Sequence, residues 1–234
     1  MEKENKPVEL WYNLLSKALK IPGTIVNYED FIKKHFQEKI SAEQMEVVLI
    51  SGTEKAGITD EQVNEISKNI INNTIAKISG LSFLAGIPGG LAGGLTIPAD
   101  TFQYYINHII LIQKLAYLHG YNQFLTTETD SDGLMKLTLF FGVMYGVQGV
   151  EDVLGNLTKE NVNSYIRTEL GKTNIKFVVT RTAKFIGLRI IKTLAKNAPQ
   201  KLVPILGGAV SGTLSYLSTK KTTEKLLYFF QKNY

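Results

Sequence analysis

Cysteine is absent from the 234 residues, which excludes disulfides, zinc ribbons and a thiol nucleophile. Only three histidines occur, His35, His108 and His119, too little material for a transition-metal site. No metal and no cofactor is expected. Charged residues reach only 20% against 44% hydrophobic, and mean hydropathy is -0.00. That balance excludes intrinsic disorder and argues against a polytopic membrane protein. Strand alternation of useful length is missing; β-branched runs such as Ile175 to Thr180 sit inside longer helix-period patterns. The opening MEKENKPVELW lacks an apolar core, so no secretory signal is expected. The expected location is the cytoplasm, or the inner face of a membrane.

What is present is helical periodicity almost throughout. Val8, Trp11, Leu14, Leu15 and Ala18 mark one face of a first helix, which IPG at 21–23 breaks. A short helix is predicted from Asp30 to Glu38. Ser41 with Gln44, and Thr59 with Gln62, each carry the capping-box spacing before an apolar run. Gly57 is expected to stop the helix between them. The fold class is all-α, a compact multi-helix bundle. Residues 1–74 are expected to form an acidic helical segment packed on a larger domain spanning 75–234, the two making one structural unit.

Charge is unevenly placed. Residues 159–234 hold 14 Lys/Arg and 3 Asp/Glu, while residues 1–70 hold 9 and 12. A basic half is suited to phosphates on lipid or nucleic acid, or to an acidic partner; alternatively the two ends neutralise each other in the fold.

Between Ile78 and Ala99 there is no charge, yet this stretch carries six glycines and Pro88 and Pro98. That is a poor composition for one continuous span. Two short helices joined by a Gly-Pro bend fit better, with Gly89, Gly90, Gly93 and Gly94 allowing close backbone approach in a core or in a bilayer. The core hairpin is favoured because overall hydropathy is ordinary. VPILGGAVSG at 203–212 repeats the theme with Pro204, Gly207 and Gly208.

Enzyme signatures fail one by one. LGKTN at 170–174 has Ile166 where a phosphate loop needs glycine, so Gly171 reads as a helix stop with Thr173 as a cap. ETDSDG at 128–133 places Leu139 where a calcium loop needs glutamate, leaving Ser131 or Asp132 as a helix cap. There is no HExxH and no GxSxG. The most pointed constellation is the helix opened by IPAD at 97–100. Asp100, Gln103, Asn107 and Lys114 fall within about 60° of one another on its wheel, and His108 lies close by. This stripe is either a solvent face plus helix capping, or the lining of a pocket around Asp100, Gln103, Asn107 and His108.

A second constellation is the predicted helix from Thr173 to Asn197. Ile175, Val179, Ala183, Ile186, Ile190 and Leu194 form its apolar face. Arg181, Lys184, Arg189, Lys192 and Lys196 lie on the other side with Phe177, Phe185 and Leu188 among them. The open readings are an anionic membrane surface and a solvated or internally paired face. Nucleic acid would use the same charges, but no recognisable binding fold accompanies them.

The stretch ISGLSFLAGIPGGLAGGLTIPADTFQYYINHIILIQKLAYLHGYN at 78–122 resembles the EcsC family of bacterial proteins. The matching features are Gly89, Gly90, Gly93 and Gly94, then Pro98 and Asp100, then Gly120 and Tyr121, with His119 where the family commonly has an aromatic. Pro204, Gly207, Gly208 and Gly212 resemble its C-terminal signature. The resemblance covers roughly residues 75–234. It implies a helical, membrane-associated bacterial protein whose function is partner binding beside a transport, secretion or self-protection system. The expected function is therefore non-enzymatic: a peripheral protein at the cytoplasmic membrane face that modulates or protects a membrane or secretion system. The alternative is a small-molecule-binding or hydrolytic enzyme with a cavity around Asp100 and His108.

Overall fold

The computed structural model describes residues 2–79, 97–121, 125, 127–156, 169–197 and 208–233. Over these residues the chain is all-α, with no strand. The helices are α1 Glu2–Leu19, α2 Tyr28–Phe36, α3 Ala42–Ser51, α4 Asp60–Ser79, α5 Ala99–Leu118, α6 Ser131–Tyr145, α7 Val150–Asn156, α8 Glu169–Asn197 and α9 Gly208–Asn233. The expected Gly-rich hairpins, with Gly89, Gly90, Gly93, Gly94, Pro204 and Gly207, lie outside the described residues. Gly208 opens α9, and Pro98 is the N-cap of α5.

Local signals in the sequence explain most helix starts. At α3, Gln44 N–H donates to the Ser41 hydroxyl while Ser41 N–H donates to Gln44 Oε1, both at 3.2 Å. Thr59 and Gln62 repeat the reciprocal pair at the start of α4, at 3.1 and 3.3 Å. Each pair satisfies two backbone donors that a helix N-terminus otherwise leaves open. Ser41→Ala is expected to lower stability by about 1 kcal/mol, read from the midpoint of urea unfolding. An unchanged midpoint would mean that water replaces the cap at no cost.

Five boundaries differ from the sequence reading, the first being α2, which Asn27 caps so that it runs from Tyr28 to Phe36 rather than from Asp30 to Glu38. α1 begins at Glu2 and runs through Pro7, which is buried. α3 ends at Gly52, with φ of 90°, five residues before Gly57. α6 is capped by Asp130, whose Oδ1 accepts from Gly133 N–H at 2.9 Å, rather than by Ser131 or Asp132. α8 runs unbroken through Gly171. A glycine inside a helix costs about 1 kcal/mol, which the buried face of this 29-residue helix outweighs.

α5 is the hub. Thirteen of its twenty residues are buried, because neighbours cover it on nearly every side. The connection after α1 is fastened to it by hydrogen bonds: Gln113 Nε2 donates to Thr24 O at 2.7 Å and Val26 N–H donates to Gln113 Oε1 at 2.9 Å. Tyr117 adds its hydroxyl to Val26 O at 2.9 Å. Trp11 of α1 is fully buried, edge-on to Phe141 (centroids 4.9 Å apart) and Tyr105 (5.8 Å), and its indole N–H donates to Thr138 Oγ1 at 3.0 Å. Phe229 and Phe230 of α9 close the far end against Phe140 and His119.

Among the described residues, the most extensive interface packs the first helix on α8. α1 lies along α8, with Leu10, Trp11, Leu14, Leu15 and Ala18 on one side and Ile175, Val178, Val179, Ala183, Ile186 and Ile190 on the other, all buried. One hydrophobic core thus spans the acidic N-terminal helices and the basic C-terminal ones.

Candidate functional site

On α5 the polar stripe is real as a stripe but is not one pocket. Asp100 is exposed in the first turn, and its Oδ1 accepts from Thr101 N–H at 2.7 Å. There its carboxylate meets the positive end of the helix dipole. Gln103 and Asn107 are half-buried, and Gln103 Oε1 is buried with no hydrogen-bond partner. His108 is fully buried against the rings of Tyr104 (4.1 Å) and Phe141 (6.4 Å). Eight residues of helix separate Asp100 from His108 by about 12 Å along the axis and about 80° around it. The structure therefore does not bring these two together as an acid–base pair.

The state of His108 follows from its contacts. Nδ1 lies 2.8 Å from Tyr104 O, a carbonyl that can only accept, so Nδ1 carries the proton. Nε2 is then a bare acceptor, buried without a partner. Burial pushes the imidazole down to about 4, against the smaller opposing effect of the Tyr104 carbonyl. At neutral pH it is an uncharged core side chain. Among the described residues, no three His, Asp or Glu side chains converge as metal ligands.

Lys114, the last member of the stripe, is half-buried, and its amine is held below its usual range by burial and by the charges of Lys77 and Lys34. Burial and the charges of Lys34, Lys114 and Lys39 likewise lower His35. This convergence of cations from α2, α4 and α5 arises within an acidic sequence region. No linear signal announces it.

The basic helix α8 gives a better-defined surface. Its buried face is turned to α1, as the apolar spacing predicts, with Leu194 half-buried at the end. Opposite it, Phe177 is 63% exposed, Phe185 42% and Leu188 41%. These three rise with Arg181, Lys184 and Lys192 inside about 100° of helix circumference, a single outward stripe of alternating cation and hydrocarbon. Lys192 is exposed, and Arg181 and Lys184 are half-buried. Lys196 lies in the last turn of the same helix.

Arg181 and Arg189, both singled out by sequence, also serve the fold. Arg181 donates to the Gln148 carbonyl in the turn before α7, with its guanidinium 5.7 Å from the Phe177 ring centroid. Arg189 stands at the edge of the stripe, over the Tyr145 ring at 4.7 Å. That contact was not legible from spacing, since Tyr145 ends α6 and meets α8 only through tertiary packing. Phe185 touches the same ring, with centroids 6.4 Å apart.

Compared with protein-family models, curated proteins and solved structures, the chain matches none. Among the described residues, no helix is long and apolar enough to cross a membrane.

Proposed function

We propose that the chain is a non-enzymatic, EcsC-like bacterial protein that docks on the anionic cytoplasmic face of a membrane through α8, and there modulates or protects a membrane or secretion partner. The observation that carries this reading is the outward stripe of α8. Phe177, Phe185 and Leu188 are large apolar side chains left in water on a helix whose other face is fully used by the core. Large apolar groups scattered singly need no explanation, but three in one line interleaved with Arg181, Lys184 and Lys192 have the composition of an interfacial helix. Each Lys or Arg near an anionic leaflet contributes about 1 kcal/mol, and the rings add hydrophobic burial at headgroup depth. A binding helix of this kind lies on the bilayer and needs no spanning segment.

Cosedimentation of the purified chain with neutral and with anionic liposomes, at low and at high salt, tests the proposal. Binding is expected on anionic vesicles only and is expected to weaken with salt. Lys184→Glu with Lys192→Glu, and separately Phe177→Ser with Leu188→Ser, should each weaken it about tenfold or more. Absence of binding, equal binding to neutral vesicles, or unchanged binding in both variants would overturn it.

A further inference from the structure

α9 carries a second stripe of cations. Lys221, Lys225, Tyr228 and Lys232 fall within about 60° of one another on its wheel. All four are exposed, Tyr228 to 65%, on a helix whose other face buries Thr222, Thr223, Leu226, Phe229 and Phe230. Among the described residues, none of these three lysines forms an ion pair. The packing around α6 sets this stripe on the same side of the molecule as that of α8.

α6 stands between the two helices. Phe140 packs on Phe229 and Phe230 of α9, whereas Gly142 faces Thr182 of α8, and two residues of helix turn these contacts to flanks about 160° apart. Later residues of α6 meet later residues of α8, since Gly142 faces Thr182 and Tyr145 meets Phe185 and Arg189. For α9 the order reverses, since Phe140 meets Phe229 while Gly146 lies beside the Lys225 amine. α8 and α9 therefore run in opposite directions on the two flanks of α6. On α8, Thr182 and Arg189 lie about 100° further round the helix than the centre of the stripe; on α9, Phe229 lies about 70° further round. The same sense of rotation on two antiparallel helices brings both stripes to one side of α6. The turn after α6 marks that side. Arg181 of the α8 stripe donates to the Gln148 carbonyl there, and a Cβ on Gly146 would stand 2.9 Å from Lys225 Nζ of the α9 stripe.

We infer that α8 and α9 form one docking face, and that an anionic bilayer meets both helices at once. The inference rests on the docking proposed above and adds its second half. Arg181, Lys184, Lys192, Lys221, Lys225 and Lys232 stand on this face, against Glu224 at the edge of the α9 stripe and Glu151 and Asp152 at the start of α7. The cationic excess matches a negatively charged surface. The side chains among the cations favour lipid over nucleic acid. Phe177, Phe185 and Leu188 can enter the acyl boundary, and Tyr228, an exposed ring with a hydroxyl tip, suits the headgroup level. Two helices side by side present a plane, so cations of both reach the leaflet within a Debye length of about 8 Å.

The test uses the full chain with phosphatidylserine-containing vesicles and with neutral phosphatidylcholine vesicles. Trp11, the only tryptophan in the sequence, is buried and gives a constant background, so Tyr228→Trp reports on α9. Its emission is expected to shift to the blue on the anionic vesicles alone, and to be quenched there by brominated acyl chains. Lys221→Glu with Lys232→Glu should weaken binding to those vesicles about tenfold or more, at an unchanged melting temperature, because both side chains are exposed. Unchanged binding in this pair, while Lys184→Glu with Lys192→Glu loses it, leaves docking through α8 standing and overturns the two-helix face. So does a vesicle-bound chain whose emission from position 228 does not shift. No binding to anionic vesicles overturns the docking and the inference together. Duplex DNA bound by the wild type and lost in the α9 pair, with vesicle binding unaffected, assigns the stripe to nucleic acid and overturns the inference.

Discussion

Gly187→Ala is expected to destabilise the protein by roughly 3 kcal/mol or more, although alanine is the better helix former. Gly187 lies in the middle of α8 where α1 crosses it. A Cβ placed there would overlap the Pro7 carbonyl oxygen and stand 2.8 Å from Pro7 Cα. Both are backbone atoms of a buried proline, so no side chain can rotate out of the way. The only relief is to move α1 off α8, which loosens the packing of Trp11, Leu14 and Leu15 together. At an open helix position the same substitution would stabilise by up to about 1 kcal/mol, so the sign of the effect isolates the packing. For a chain of this size 3 kcal/mol corresponds to a fall of about 10 °C in melting temperature. Thermal unfolding measured by far-ultraviolet circular dichroism checks this, and a melting temperature equal to or above wild type would show that the helices do not meet so closely. Gly142 offers a graded comparison, because its added Cβ would meet the side-chain methyls of Thr182 and Val150 at 2.9 Å. Those can shift more easily than a backbone.

The second large effect is a loss of stability in acid through His108. Its folded pKa is near 4 and its unfolded value is 6.5. A histidine whose folded pKa is lowered binds more protons when unfolded, so stability rises with pH across that interval. The contribution is fully present above pH 6.5 and is lost as pH falls from 6.5 to 4. The difference between those two values corresponds to about 3 kcal/mol. The cause is burial: a charged imidazole among Tyr104 and Phe141 has no solvent and no counter-charge. His108→Leu removes the titration while forfeiting only a hydrogen bond within its own helix. Urea unfolding at a series of pH values should show the variant's stability falling more shallowly between pH 6.5 and 4, by up to one proton taken up per molecule. Parallel slopes would mean that His108 is charged or solvated in the fold. His35 is also lowered, by burial and by the neighbouring lysines, but it is only half-buried, and it remains in both proteins.

Both predictions concern positions that one-dimensional periodicity treats alike with their neighbours. The 3.6-residue pattern placed Ile175, Val179, Ala183 and Ile186 on the buried face of α8, and the structure buries them. The same pattern is silent on Gly187, because a missing side chain carries no hydropathy signal and its partner Pro7 is far away in the sequence. Capping is local, so Ser41–Gln44 and Thr59–Gln62 were legible from spacing alone. At Asp130 the competing caps were adjacent residues, and the choice depended on the backbone path into α6. At Gly171 a local preference of about 1 kcal/mol lost to tertiary burial along the rest of the helix.

The candidate sites divide in the same way. The wheel correctly aligned Asp100, Gln103 and Asn107 on one side of α5, but a wheel has no neighbours, and only packing decides which members meet water. Asp100 meets it and His108 does not. The cations of α8 were countable in the sequence; that Arg181 is bonded to Gln148 and Arg189 stacked on Tyr145 depends on how α6 and α8 pack. By itself the sequence determined the all-α class, the capping boxes, the buried and exposed faces of α8 and the basic character of the C-terminal half, because each follows from residues within a few turns of one another. The tertiary structure alone decided the glycine–proline crossing of α1 and α8, the dry setting of His108 and the meeting of Arg189 with Tyr145. Those depend on distances between residues remote in the chain, which only the packed core brings together.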